Sequence, residues 1–268
     1  MILAHLSELT VGVNIKKRLK LGAFKFKIYR DFMFLKATTI ALIPALIIQG
    51  NRVKKNTPVL AEPEGQREGR VGAGSALSIL IIGDSAAAGV GVDHQKDALS
   101  GSILKKLEHQ FQIEWKLQAT TGHRTSHIQR AVTELPKQHY DVVITSVGVN
   151  DVTKLTPPNI WIEKQVQLYS SIEEKFSPEL IIATAVPPMQ HFPALPNPLA
   201  WLFGQYAKKM NLMLDRLIEK KPNMQLIQYD FELYQRLNLS MAKDGFHPSK
   251  EVYEVWADQI VSKIKNRF

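Results

Sequence analysis

Cysteine is absent from the 268 residues. Disulfides, thiolate metal sites and cysteine nucleophiles are therefore excluded, and the redox compartment stays open. The main body also lacks net charge. The formal charge of +9 resides in residues 1–60, which hold eleven Lys/Arg against two Asp/Glu, whereas residues 61–268 hold 23 of each sign. A neutral body offers no basic face for nucleic acid. No internal repeat is apparent. The uncharged run Ala37–Ile48 falls short of the roughly 20 residues that a spanning helix needs. What is present, at 45% hydrophobic residues, suffices for one well-buried domain with an appendage.

The appendage is residues 1–55, basic and apolar by turns. Lys16–Lys27 reads KKRLKLGAFKFK, and the apolar run Phe32–Ile48 follows, broken by Lys36 and Pro44. Basic residues flank it on both sides, so charge bias sets no orientation. The expectation is an uncleaved anchor or interfacial segment at an anionic membrane surface, its side undetermined. A cleaved signal, a helix packed on the domain and a true start at Met33 are the other readings; no small-x-small site follows promptly at Ile47–Gly50. Residues 56–75, rich in Pro, Glu and Gly, read as a linker.

From residue 76 to 268 strand-like and helix-like segments alternate, which argues for βαβ units and a parallel sheet. Strands are expected at Leu77–Gly83, Gln112–Ala119, Val142–Val147, Leu180–Val186 and Met224–Tyr229. In the last helix, Lys250–Ile264, the residues Val252, Val255, Trp256, Ile260 and Ile264 share one face. The expected fold class is α/β, a three-layer α/β/α sandwich with about five parallel strands.

Four clusters fall at the ends of these strands or before the final helix. The apolar run Ile79–Ile82 stops at Gly83-Asp84-Ser85, followed by three alanines. A serine between strand and helix, with nothing bulky beside it, is accessible to a carbonyl and has backbone N–H donors around it. Thr120-Thr121-Gly122-His123 and Gly148-Val149-Asn150-Asp151 follow the second and third strands. Asp244-Gly245-Phe246-His247-Pro248 precedes the last helix. Proline keeps His247 out of helix, and Asp244, three residues earlier across a glycine, is placed to accept the imidazole Nδ1–H. Nε2 is then free to take a proton from a serine. Gly122, Asn150 and the Ser85 N–H together supply three donors for one oxyanion. Read singly, each cluster is also an ordinary turn or cap; Asp84 reads as a brace of the serine loop. His123 and His127 read as surface or loop residues, with His191 a further candidate for the pocket. The proline-rich loop Val186–Phe203 follows the fourth strand, and Met189, Phe192 and Leu195 are its candidates for an acyl wall.

The combination resembles the SGNH hydrolase superfamily, the GDSL esterases and lipases. Its four named residues correspond here to Ser85, Gly122, Asn150 and His247, with Asp244 in the DxxH block; Ala86 stands where leucine is frequent. The resemblance runs from Leu77 to the C-terminus and leaves the head outside. It implies a flavodoxin-like fold and a metal-free, cofactor-free serine esterase acting on carboxylic or thioesters of small or lipid-like acyl groups. Among the branches it is most similar to the bacterial lysophospholipase and arylesterase types. Two rivals share the fold: an acyltransferase using the same acyl-enzyme, and a non-catalytic or receiver-like binding module. The second would be expected to carry a lysine near its last strand, and Met224–Tyr229 has none.

Overall fold

Ile79, Leu80, Ile81 and Ile82 carry no polar side chain toward either face, and all four are fully buried. Such a strand is stable only in the middle of a sheet covered on both sides. The computed structural model describes residues 33–268; the basic run Lys16–Lys27 lies outside the described residues.

The chain divides into two compact units, Met1–Ile48 and Gln49–Phe268. Helix α1 spans Met33–Asn56, 24 residues with a mean hydropathy of 1.6 over its most apolar window. It continues through Lys36 and Pro44. The helix is thus long and apolar enough, by length and composition, to cross a membrane, although the uncharged run within it is short.

Six strands form one sheet: β1 (Glu68–Val71), β2 (Ser75–Gly83), β3 (Phe111–Ala119), β4 (Val142–Ser146), β5 (Leu180–Thr184) and β6 (Met224–Ile227). Their spatial order is β1-β3-β2-β4-β5-β6. The five strands expected from the alternation, β2 to β6, are mutually parallel. The sixth corrects the reading of residues 56–75 as a plain linker: β1 pairs antiparallel with β3, Glu68 opposite Lys116 and Arg70 opposite Glu114. Ion pairs join Lys116 to Glu68 at 2.6 Å and Arg70 to Glu114 at 2.7 Å. An EGRV tetrapeptide with one glycine inside it and another after it has no hydrophobic alternation to announce it.

Helices cover both faces. On one, α3 (Leu99–Leu107) packs on α9 (Lys250–Lys265), and Ile103, Leu107, Trp256, Ile260 and Ile264 join Ile79, Ile81 and Ile113 in one core. Tyr253 and Ala257 belong to the buried stripe of α9, and Val255 stands at its half-exposed margin. Elsewhere α4 (Thr125–Glu134) packs on α6 (Pro158–Phe176), and α6 on α7 (Leu199–Ile218). From β2 the chain steps to β3 on one side, then returns past β2 to β4 on the other. The carboxyl end of β2 is therefore the point where the winding reverses, and crevices open at such points.

Gly83 ends β2 because nothing larger fits. A Cβ there would lie 2.3 Å from the Ser146 carbonyl oxygen and 2.6 Å from the Ala87 Cβ. Across the molecule the fully buried Tyr253 of α9 donates its hydroxyl to the Val90 carbonyl at 2.8 Å, tying the last helix to the segment after Ser85. Removing that hydroxyl strands a buried carbonyl. Tyr253→Phe is expected to cost about 1–3 kcal/mol, read as a lowered denaturation midpoint; an unchanged midpoint would contradict the assignment.

Candidate active site

Three strand ends deliver the polar residues to one edge of the sheet. β2 runs into Asp84 and the short helix α2 (Ser85–Ala88), which Asp84 caps by accepting the Ala86 N–H at 3.1 Å. The Asp84 N–H donates to the Ser146 carbonyl at the end of β4, and the Thr120 N–H, just past β3, donates to the Gly83 carbonyl. Ser85, the Thr120–His123 turn and the segment opening α5 (Val149–Thr153) thus leave neighbouring strands side by side.

His247 arrives from far along the chain. Its Nε2 lies 2.9 Å from the Ser85 Oγ and its Nδ1 lies 2.5 Å from the Asp244 Oδ2. The other Asp244 oxygen accepts the N–H groups of Phe246 at 2.9 Å and His247 at 3.0 Å. One carboxylate therefore orients both the ring and the backbone that carries it. Burial works against charge on Asp244, but the hydrogen bonds from the His247 backbone and ring and from Phe246 outweigh it and hold the carboxyl below its ordinary range. It stays ionised beside the imidazole.

Asp84 has the opposite balance. Burial pushes its carboxyl up to about 7; the Ala86 N–H pulls the other way, and the charge of Asp151 adds to the rise. Asp151 is itself fully buried and accepts the Thr125 N–H at 2.9 Å and the Thr125 hydroxyl at 2.8 Å. Gln165 of α6 donates to that hydroxyl at 3.1 Å. Asp151 so locks α5 onto the start of α4, and the adjacent Asn150 donates its Nδ2 to the His123 carbonyl at 3.0 Å. A carboxamide nitrogen has two protons, which leaves one for a ligand.

Gly122 is exposed, with φ of +81° and nothing within 4 Å of where a Cβ would be. It occupies the third position of the turn Thr120–His123, closed by the His123 N–H on the Thr120 carbonyl at 3.2 Å. The loop is tied down by residues the sequence offers no signal for. Glu62 Oε1 accepts both the Thr121 N–H (2.8 Å) and the Thr121 hydroxyl (2.6 Å). Arg67 donates to the other Glu62 oxygen at 2.7 Å and to the Ala119 carbonyl at 2.5 Å.

Ser85 and His247 open into an apolar recess of about 30 Å³. Its walls include Val147, Val149, Tyr229, Phe246 and Trp256, none of them expected from the sequence as a wall, together with Phe192. Of the three expected wall residues only Phe192 lines the recess; Met189 and Leu195 are buried outside its walls. Phe192 meets Phe246 edge-on at 5.1 Å, a pairing of residues far apart in the chain that periodicity does not show. His191 is turned away, stacked on Phe231 at 3.8 Å beside a separate groove along α7. His127 accepts the Arg124 N–H at the start of α4, and His123 enters through its backbone carbonyl. Among the described residues no group of three His, Asp or Glu side chains is arranged to hold a metal ion.

The profile of the GDSL-like lipase/acylhydrolase family matches residues 81–255. Solved structures share the fold. A lipolytic G-D-S-L family protein from Veillonella parvula aligns with a TM-score of 0.57 and 13% identity, over 72% of this chain and all of the other. A catalytic mutant of an acetylxylan esterase from Geobacillus stearothermophilus gives 0.53 and 15%, over 72% and 95% of the two chains. A psychrotrophic esterase from Pseudoalteromonas gives 0.51 and 17%, over 70% and 97%. No curated protein matches the sequence.

The raised Asp84 value has a measurable sign. A carboxyl that keeps its proton to about pH 7 in the fold, but loses it near 3.8 when unfolded, binds more protons native than denatured between those values. Its contribution to stability therefore falls as pH rises through that window and is level above it. Asp84→Asn keeps an acceptor for the Ala86 N–H and removes the titration. The melting temperature of the variant is expected to gain on the wild type between pH 4 and pH 7; parallel curves would refute the shift.

Proposed function

Because the chain belongs to the GDSL-like lipase/acylhydrolase family and is an ester-bond hydrolase, we propose that Ser85 is its nucleophile, His247 its general base and acid, and Asp244 the group that orients His247. The observation that carries this reading is the continuous contact from Asp244 through both ring nitrogens to the Ser85 hydroxyl. The Ser85 Oγ attacks the acyl carbonyl carbon while Nε2 takes its proton. The oxyanion is met by the N–H groups of Ser85 and Gly122 and by the free Asn150 amide proton. Collapse expels the alcohol oxygen, which receives the proton from Nε2 and leaves Ser85 acylated. Water then gives a proton to Nε2, adds to the acyl carbon, and releases the acid as Ser85 recovers its proton.

The recess argues for a short acyl group. A water needs about 10–15 Å³ of such space, so a cavity of about 30 Å³ takes roughly two heavy atoms beyond the carbonyl. Aromatic side chains from three segments, Phe192, Phe246 and Trp256, stand among its walls, and burying more methylenes would mean displacing them. The substrate class is therefore acetyl-sized to propionyl-sized carboxylic esters. Helix α1 serves as an anchor that holds the hydrolase at a membrane, a reading that rests on its length and on the exposed Phe34, Ile40, Ile47 and Ile48.

Four measurements test this. A fluorophosphonate probe labels the wild type and not Ser85→Ala, and Asp244→Asn lowers turnover roughly 10⁴-fold by presenting the wrong tautomer; an active Ser85→Ala ends the account. On p-nitrophenyl esters kcat/KM is highest at two or three carbons and falls steeply by hexanoate, and Phe192→Ala moves the limit to longer chains; a preference for octanoate in the wild type would reject the short-acyl class. In fractionated cells the full chain stays with membranes through a high-salt wash, and a fully soluble full chain would reject the anchor.

A further inference from the structure

The clamp on Thr121 lies outside the residues that the family profile matches, 81–255, yet it acts next to the glycine proposed as an oxyanion donor. The turn Thr120–His123 has Gly122 at its third position with φ of +81°, the value a type II turn requires there. No atom outside the turn lies within 4 Å of the position a Gly122 Cβ would take, so where the Gly122 N–H sits depends on what holds the neighbouring residues of the turn.

Glu62 is what holds it. One carboxylate oxygen takes both the backbone N–H and the hydroxyl of Thr121, and Arg67 fixes the other. Arg67 also reaches the Ala119 carbonyl at the end of β3, so the clamp is referenced to the sheet that carries the serine. The strap is seated on both sides: the Glu64 N–H donates to the Asp93 carbonyl, the Gln95 N–H to the Glu64 carbonyl and the Leu117 N–H to the Arg67 carbonyl. Burial alone would raise the Glu62 carboxyl, but the two bonds from Thr121 and the Arg67 contact bring it below its ordinary range.

We propose that Glu62 is a positioning residue for the hydrolysis: acting through Thr121, it holds the turn where the Gly122 N–H can meet the oxyanion. The proposal rests on the oxyanion reading above. It extends the functional site into residues 62–67, which the sequence presents as linker.

The test uses the full chain and p-nitrophenyl acetate. Glu62→Ala is expected to lower kcat by between about tenfold and the 10²–10³-fold of losing an oxyanion donor, with KM within about twofold. Glu62→Gln keeps an acceptor for Thr121 and restores most of the loss. Thr121→Val removes one of the two clamp bonds from the other side, and in the double variant the losses in kcat do not add, as expected of residues acting through one contact. Melting temperatures taken in parallel separate this from unfolding. Wild-type turnover in Glu62→Ala, equal losses in the Ala and Gln variants, or additive losses in the cycle would each overturn the proposal. A wild type that neither turns over nor takes the fluorophosphonate would instead remove the serine chemistry on which it rests.

Discussion

The site depends on how closely two neighbouring strands approach at their carboxyl ends. Gly83 and Ser146 are in register on β2 and β4, and only a residue without a Cβ tolerates the Ser146 carbonyl where it is. The next N–H, that of Asp84, donates to the same carbonyl. The backbone therefore turns sharply before any side chain is placed, and Ser85 opens α2 instead of extending β2. Everything that meets Ser85 is measured from that turn. β3 brings Gly122 on one side, β4 brings Asn150 on the other, and α9 is preceded by the loop that delivers His247.

A second layer of polar residues keeps those loops in position without facing the recess. Asp151 buries its charge against Thr125 and fixes Asn150 relative to α4. Asp244 divides its two oxygens between the imidazole and the backbone of the His247 loop. Glu62 and Arg67 do the same for the Gly122 turn. In each case a carboxylate satisfies backbone N–H groups that a loop would otherwise leave to water, which orders the loop at the rim of a rigid sheet. Asp84 is the exception. It has less compensation, and burial leaves it about half protonated at pH 7.

Much of this was legible because it repeats over short distances in the chain. The strands β2, β4 and β5 carry the apolar runs Ile79–Ile82, Val142–Ile144 and Leu180–Ala183, and the GDS, GxND and DxxH blocks sit at strand ends or before α9. Periodicity also marks Val252, Trp256, Ile260 and Ile264 as the inward face of α9, but it leaves out the buried Tyr253, Ala257 and Val261 and includes Val255, which sits at the margin of the stripe. What stayed hidden depends on contacts between residues distant in sequence. Glu62 is an unremarkable acid in a Pro- and Gly-rich stretch until β1 pairs with β3 and brings it to Thr121, and Trp256 looks like plain core until it is found among the walls of the recess that Ser85 lines. Met189 and Leu195 share the composition of a pocket wall, but the short helical turn Met189–His191 and the turn after it leave both buried in packing and only Phe192 at the recess. In α1 an uncharged run too short to span underestimates a helix that carries on past Lys36 and Pro44.

β1 has one more consequence. Without it β3 would end the sheet with nine residues, apolar on alternate positions and with an open row of N–H and C=O groups, the kind of edge on which a second chain adds a strand. The EGRV segment closes the middle of that row, Ile113 to Lys116, with an edge that is short, half charged and broken by glycine, held by Lys116–Glu68 and Arg70–Glu114. A hydrolase trimmed back to its family-matched core would lose this guard. It would then tend to assemble through β3 into oligomers and precipitates, whatever the state of its serine.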